Sequence, residues 1–130
     1  MGETGAKILL VEDNDLVREH VNAQLQGLGY TVITVRNGAE ALEALREDAA
    51  IDLLFTDVVM PGGISGRDLV EQARQLRPKL PVLLTSGYFD RSTLRGGEHE
   101  LPMLQKPYGF QDLAQKVSAA LGKPPPQKSG

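Results

Sequence analysis

The chain has 130 residues, of which 41% are hydrophobic and 24% charged. This is the composition of one globular domain rather than of a disordered segment. The 14 basic and 17 acidic residues give a formal net charge of −3. That balance argues against direct binding to DNA, which requires Lys and Arg to neutralise phosphates. The lack of cysteine excludes disulfides, thiol catalysis and Cys-ligated zinc. We expect a cytoplasmic protein without membrane insertion, because the early apolar run is far too short for a signal peptide or a membrane span.

Short apolar runs alternate with helical patterns along the chain. In chain order, the first half predicts a strand at Lys7–Val11, a helix striped by Val17, Val21, Leu25 and Leu28, a strand at Thr31–Val35, a helix from near Gly38 and a strand from Leu53 to Asp57. The second half predicts a helix striped by Leu69, Val70, Ala73 and Leu76, a strand at Val82–Leu84, a short helix within Arg91–Arg95, a strand at Met103–Gln105 and a helix from Phe110 to Leu121. This alternation predicts an α/β fold, a doubly wound five-stranded parallel sheet with five helices.

Polar side chains follow four of the predicted strands. Glu12 and Asp13 come after the first strand, and Asp57 ends the third. Ser86 follows the fourth strand and Lys106 the fifth. Because ligands bind beyond the carboxyl ends of such strands, we expect these groups to converge at one edge. Carboxylates suit Mg²⁺, an Asp can act as a nucleophile towards phosphorus, and a Lys and a hydroxyl can stabilise phosphoryl oxygens.

Each of these residues taken alone has an ordinary structural explanation. Acids such as Glu12 and Asp13 near a helix start favour the helix dipole, and an Asp57 before a Gly/Pro-rich loop is more often a turn residue. The joint occurrence at independently predicted strand ends favours the functional interpretation. Two alternatives are disfavoured. A phosphatase of the Asp-nucleophile type would need an acid two residues after the nucleophile, where the chain has Val59. A flavin- or nucleotide-binding module would need a Gly-rich phosphate loop, and the sequence has none.

The sequence resembles the receiver domain of two-component response regulators over about residues 6–121. The motifs that carry the resemblance are Ile8-Leu9-Leu10-Val11-Glu12-Asp13, Asp57-Val58-Val59-Met60-Pro61 with Gly66, Val82-Leu83-Leu84-Thr85-Ser86-Gly87-Tyr88, and Gln105-Lys106-Pro107-Tyr108. Together these motifs are highly specific, although any one alone would not be. They also resemble receivers attached to hybrid histidine kinases, so the sequence leaves open whether the chain is free-standing or part of a larger protein.

The resemblance implies the flavodoxin-like strand order 2-1-3-4-5 and a role for each of the residues at the strand ends. It implies Asp57 as the phosphoacceptor, Asp13 as a direct Mg²⁺ ligand, Glu12 as a ligand through water, the backbone carbonyl of Val59 as a further ligand, Ser86 as the switch hydroxyl and Lys106 as the group on the phosphoryl oxygens. Met103 stands where the family usually has the Tyr or Phe of its switch. A flexible Met can repack in place of that aromatic ring.

We therefore expect a receiver at residues 1–122 and a Pro-rich tail or linker without fixed structure at residues 123–130. It would take a phosphoryl group from a sensor histidine kinase or a histidine phosphotransfer protein and then act on a downstream protein. Such a domain assists its own modification and dephosphorylation, and is not a turnover enzyme. The remaining alternative is an interaction module that keeps the receiver fold without being phosphorylated.

Overall fold

The computed structural model describes residues 6–57, 65–86, 103–105 and 108–122. Within these residues the strands are β1 (Lys7–Val11), β2 (Thr31–Val35), β3 (Leu53–Asp57), β4 (Val82–Ser86) and β5 (Met103–Gln105). The helices are α1 (Asp15–Gly27), α2 (Gly38–Glu47), α3 (Gly66–Leu76) and α4 (Phe110–Ala120). None of the helices in the described ranges is both long and apolar enough to cross a membrane.

The strands form one parallel sheet in the order β2-β1-β3-β4-β5. In its register, Ile8 of β1 lies opposite both Val32 of β2 and Leu53 of β3. The predicted doubly wound parallel sheet and its strand order are confirmed. The helix predicted within residues 91–95 and the tail predicted at 123–130 lie outside the described residues.

The core consists of two apolar layers, one on each face of the sheet. Alternate residues of a strand enter opposite layers, so Leu10 packs in one and Leu9 in the other. Buried residues of α1 and α4 complete the layer that contains Leu10 and Phe55. Buried residues of α2 and α3 complete the layer that contains Leu9 and Leu54. Both faces of the parallel sheet are therefore covered, which explains why β1, β3 and β4 are almost uninterrupted apolar runs.

Three of the helices begin at a side-chain cap. The side-chain oxygens of Asn14, Asn37 and Ser65 each accept a hydrogen bond from the backbone N–H three residues further on, at 3.0, 2.9 and 3.1 Å. Each bond satisfies one of the N–H groups that a helix start leaves unpaired, which is why these residue types favour this position. The caps fix where α1, α2 and α3 begin relative to the strands before them.

The packing differs from the apolar stripes of the sequence at several helix ends. Val17, Leu76 and Phe110 are 39%, 42% and 46% exposed. Each lies in the first or last turn of its helix, where the sheet and the neighbouring helix cover less of the surface. Conversely, the polar Ser118 is buried, and its hydroxyl oxygen lies 3.5 Å from that of the buried Tyr30.

Candidate functional site

The turn after β1 carries two adjacent acidic residues at the carboxyl edge of the sheet. The backbone N–H of Glu12 donates to the carbonyl of Val35 at 3.1 Å, so pairing between β1 and β2 extends beyond the strand itself. The carboxylate of Glu12 accepts the N–H of Asn14 at 3.1 Å. Glu12 is half-buried and Asp13 is exposed. The backbone of this turn is thus held from both sides before α1 starts.

The end of β3 places a third acidic residue beside this turn. Asp57 is half-buried and lies opposite the buried Thr85 of β4. On its other side β3 pairs with β1, and the register Val11 to Thr56 brings Glu12 alongside Asp57. The hydroxyl of Thr56 also donates to the carbonyl of Asp57 at 3.2 Å. Ladder pairing on both sides therefore fixes the backbone from which the Asp57 side chain projects.

A small cavity of about 20 Å³ joins the ends of these strands, a volume near that of one water molecule. Its polar lining comes from Glu12, Asp57, Thr85 and Tyr108, among others. The apolar part of its lining is formed by Leu10, Val11, Val17, Val21 and Phe55. Thr56 adds a third hydroxyl group to the lining. Two carboxylates and three hydroxyl groups thus border one opening, and the hydrophobic core forms its base.

Tyr108 reports on the charge at this opening. Burial raises the pKa of its phenol to about 12, and the negative charges of Glu12 and Asp57 contribute to the same shift. The phenol therefore stays protonated at neutral pH and can donate a hydrogen bond. Because both carboxylates act on this one ring, the negative potential of the edge is concentrated where they meet.

A basic side chain of α1 reaches back to the acidic turn. The guanidinium of Arg18 donates from Nη1 to the carbonyl oxygen of Glu12 at 3.0 Å and from Nη2 to Oδ1 of Asp15 at 2.6 Å. Side chains in helices point towards the N-terminus, which is the direction this contact needs. The Arg18 side chain is 17% exposed, against 75% for Asp15. The turn is therefore held from the helix side as well.

The donor chemistry at the opening suits a hard divalent cation. Mg²⁺ is usually bound by one or two carboxylates together with waters and phosphate oxygens. Glu12 and Asp57 supply two carboxylates to one cavity, and Asp13 follows Glu12 directly. In the described part of the chain, no three acidic or histidine side chains are close enough together to enclose a metal ion. The two carboxylates thus fit the usual protein donors of Mg²⁺.

The residues predicted from the sequence are distributed as follows. Glu12 and Asp57 border the same cavity, whereas the exposed Asp13 is beside it and outside its lining. The backbones of Ser86 and Met103 belong to β4 and β5, and their side chains lie outside what the structure describes. Val59 and Lys106 also lie outside the described residues. The ligand and switch roles of all these residues stay predictions.

Several residues at this edge were not assigned a role from the sequence, among them Thr85, Tyr108 and Arg18. Thr85 and Tyr108 stood inside motifs without a function, and both prove to line the cavity. Their signal was position, since each adjoins a strand end. Arg18 had a weaker signal, its spacing of three from Asp15, which favours an ion pair on a helix but does not reveal the contact to Glu12.

A larger cavity, of about 580 Å³, lies at the opposite edge of the sheet. It is lined by Ile51, Asp52, Arg77, Pro78, Lys79, Leu80, Pro81 and Leu121. Beside it, Arg77 donates to the carbonyl of Ile51 at 2.6 Å, and Asp52 accepts the N–H of Lys7 at 2.9 Å. None of the predicted site residues is among its lining. Size alone therefore does not identify the functional site here.

The sequence and the fold of this chain are matched by known proteins. A family model described as the response regulator receiver domain matches residues 8–118. The chain belongs to this family. The resemblance found in the sequence is thereby confirmed over most of the receiver domain.

The relatives of this receiver domain include a sensor kinase and a receiver protein. The domain is 36% identical over 121 residues to the sensor kinase CckA of Brucella abortus, covering 91% of this chain and 13% of that protein. It is 31% identical over 119 residues to the response regulator receiver protein CpdR of the same organism, covering 88% of this chain and 96% of that protein. The receiver thus spans nearly all of one relative and a small part of the other.

Solved structures agree with the sequence relatives. A putative response regulator from Chloroflexus aurantiacus has a TM-score of 0.81 at 33% identity, with 92% of this chain and 100% of that chain covered. A response regulator receiver protein from Sinorhizobium medicae has a TM-score of 0.81 at 29% identity, with coverages of 91% and 95%. The receiver fold is thus shared across the whole described sheet.

Proposed function

We propose that this receiver is a phosphorylation-driven switch of two-component signalling whose phosphoacceptor is Asp57. The observation that carries the proposal is the position of Asp57: it is half-buried at the carboxyl end of β3 and shares one cavity with Glu12 and Thr85. A carboxylate there is open to an incoming phosphoryl group but backed by the apolar core. Membership of the receiver family supports the same assignment.

The reaction is a transfer from nitrogen to oxygen. A carboxylate oxygen of Asp57 attacks the phosphorus of a phosphohistidine, so that an O–P bond forms while the N–P bond breaks. The imidazole leaves with the electron pair of that bond and takes a proton from solvent. Mg²⁺, held by Asp13, Asp57, Glu12 through water and the carbonyl of Val59, would neutralise charge on the phosphoryl oxygens. The paired β-ladders keep the Asp57 backbone in place while its side chain reacts.

Further groups are proposed to respond to the new charge. By family resemblance, Lys106 opposes the charge on the phosphoryl oxygens, Ser86 acts as the switch hydroxyl and Met103 occupies the usual aromatic position. A phosphoryl group adds negative charge and three acceptor oxygens, which can draw a nearby hydroxyl inward. The buried Thr85, opposite Asp57 and next to Ser86, ties such a movement to β4.

The partners follow from this chemistry. The donor would be a sensor histidine kinase or a histidine phosphotransfer protein, and the response would pass to a downstream protein in the cytoplasm. Relatives that match this receiver include a protein named as a sensor kinase and one named as a receiver protein. We propose neither direct DNA binding nor turnover of an external substrate for the receiver itself.

The test is phosphorylation by a small-molecule donor. Acetyl phosphate or phosphoramidate with Mg²⁺ should add one phosphoryl group to the wild-type chain, seen by intact-mass spectrometry. Asp57→Asn should abolish this addition. Asp52→Asn is the matched control, because Asp52 lies just before the other end of the same strand, and it should still be phosphorylated. Undiminished label in Asp57→Asn would refute the assignment.

Magnesium binding separates this proposal from the interaction-module alternative. Titration of the wild-type chain with Mg²⁺, followed through backbone amide resonances, should shift residues at the carboxyl edge, Asp13 and Asp57 first, with saturation. A receiver fold kept for interaction alone would show neither saturable binding nor phosphoryl uptake.

A further inference from the structure

We propose that Arg18 is a positioning residue of the receiver site, which sets the orientation of the peptide that joins Glu12 to Asp13. This inference rests on the proposed Mg²⁺-dependent function of the site. Arg18 itself would contact neither the metal nor the phosphoryl group. It would act by holding the backbone from which the acidic side chains project.

The contact is directed at the one peptide unit that links the two acids. The Glu12 carbonyl that accepts from Arg18 Nη1 at 3.0 Å belongs to the same planar group as the N–H of Asp13. Fixing this carbonyl therefore fixes the plane from which the Asp13 backbone continues. Asp13 is exposed, so little packing would otherwise restrict its direction.

The guanidinium itself is held in place by a second bond. Its Nη2 donates to Asp15 at 2.6 Å, and the side chain is 17% exposed. The planar fork of Arg presents both donors in a fixed geometry, whereas the ammonium of a Lys is a compact charge on a flexible stem and holds two acceptors less rigidly. Because Arg18 and Asp15 both stand on α1, the turn is braced against the rigid start of the helix, which Asn14 caps.

The positive charge of Arg18 disfavours Mg²⁺ binding, so a charge effect and a positioning effect of this residue change the Mg²⁺ affinity in opposite directions. A positive charge close to the acidic edge raises the cost of binding a divalent cation. If Arg18 acted through its charge alone, replacing it would therefore strengthen Mg²⁺ binding. If Arg18 positions the turn, replacing it should weaken Mg²⁺ binding.

The experiment compares Mg²⁺ affinities of the full chain and three variants by amide-resonance titration. Arg18→Gln removes the fork, and Arg36→Gln removes the same charge from an exposed side chain that follows β2 and is 3.5 Å from Glu40. Asn37→Ala lowers stability at the start of α2, where the lost side-chain bond is to the N–H of Glu40 and not to the acidic turn. Urea unfolding of each variant gives its stability alongside its affinity.

We expect roughly tenfold weaker Mg²⁺ binding for Arg18→Gln, the lower end of the range for removing a group that orients metal ligands. The Asp13 amide resonance should move without Mg²⁺ in this variant and stay unchanged in Arg36→Gln. Asn37→Ala should bind Mg²⁺ as the wild type does, and Arg36→Gln, which loses only a positive charge, should bind it equally or more tightly. If Arg18→Gln does not fold, Arg18→Lys carries the same test, with a smaller but clear weakening expected.

Three results would contradict the inference. Unchanged binding in Arg18→Gln would leave Arg18 without a role in the site, and tighter binding would leave it with a charge effect alone. Equal weakening in Asn37→Ala would attribute the effect to stability. If the wild-type chain showed no saturable Mg²⁺ binding, the proposed metal function itself would be refuted. This outcome is distinguishable from the other two.

Discussion

The two asparagine caps allow one prediction to be developed from matched geometry. Asn14 and Asn37 cap α1 and α2 with side-chain bonds of 3.0 and 2.9 Å to a backbone N–H. Replacing either by Ala leaves that N–H without its partner at the helix start. Because both bonds have the same chemistry and nearly the same length, Asn14→Ala and Asn37→Ala should lower the free energy of unfolding by about 1 kcal/mol each.

That loss corresponds to a fall in melting temperature of roughly 3–5 °C for a domain of this size. Urea unfolding followed by circular dichroism measures the free energy directly, and Asn14→Ser, which keeps a cap oxygen, should be close to wild type. The two alanine variants should differ at the site, since the first turn of α1 carries Arg18 and that of α2 does not. Phosphorylation by acetyl phosphate should be slower in Asn14→Ala alone. A loss below about 0.3 kcal/mol in Asn14→Ala, with the expected loss in Asn37→Ala, would refute the equivalence of the caps.

Three further predictions concern a pKa, an ion pair and the core. The pKa of Tyr108 is raised to about 12, so wild type and Tyr108→Phe should show nearly the same tyrosinate absorbance at about pH 10.5. An ordinary tyrosine is about three-quarters ionised at that pH. A difference of one full tyrosinate between the two proteins would contradict the burial argument. The Lys7 ammonium, 2.8 Å away, holds the pKa of Asp48 below its usual value, so the stability that this pair contributes is present near neutrality and lost as pH falls through that lowered pKa. Urea unfolding should therefore show a deficit of Asp48→Asn at about pH 6 that shrinks below about pH 4, and a deficit independent of pH would argue against the pair. Phe55→Ala should lower the free energy of unfolding by about 3–5 kcal/mol and Phe110→Ala by under about 1 kcal/mol, because Phe55 is 1% exposed and Phe110 is 46% exposed. Similar losses for the two variants in urea unfolding would mean that exposure does not govern the loss of stability.

The architecture was predictable because strand and helix periods differ and the strands are buried on both faces. Solid apolar blocks such as Lys7–Val11 and Leu53–Phe55 marked the strands, and their parallel order directed attention to the residues that follow them. That logic brought Glu12 and Asp57 to one place, and the structure has them lining one cavity. Strand period and topology suffice for this step, since the carboxyl ends of parallel strands must share an edge.

Other features depend on distances that no local pattern encodes. The pairing of Tyr30 with Ser118 joins residues 88 positions apart, and Ser118 interrupts the apolar character of α4 without a sequence signal. The reach of Arg18 to a backbone carbonyl depends on a side-chain rotamer, and the exposure of Phe110 depends on where neighbouring elements stop. Periodicity identifies the face of a helix, but it does not identify the partner that a side chain meets.

The strand order also bears on how the chain assembles during synthesis. After β2 and β1 have paired, β3 adds beside β1, β4 beside β3 and β5 beside β4, so the sheet grows in one direction as the polypeptide lengthens. Each of the strands β2, β3 and β4 meets a partner that has already been made, and the helix before it is ready to cover one face. Domains synthesised from the N-terminus can fold progressively in this way, with little unpaired apolar strand left waiting. The most recently paired edge, at β4 and β5, is also the side from which the proposed switch groups Ser86, Met103 and Lys106 come, so the parts expected to move are those that join the sheet last.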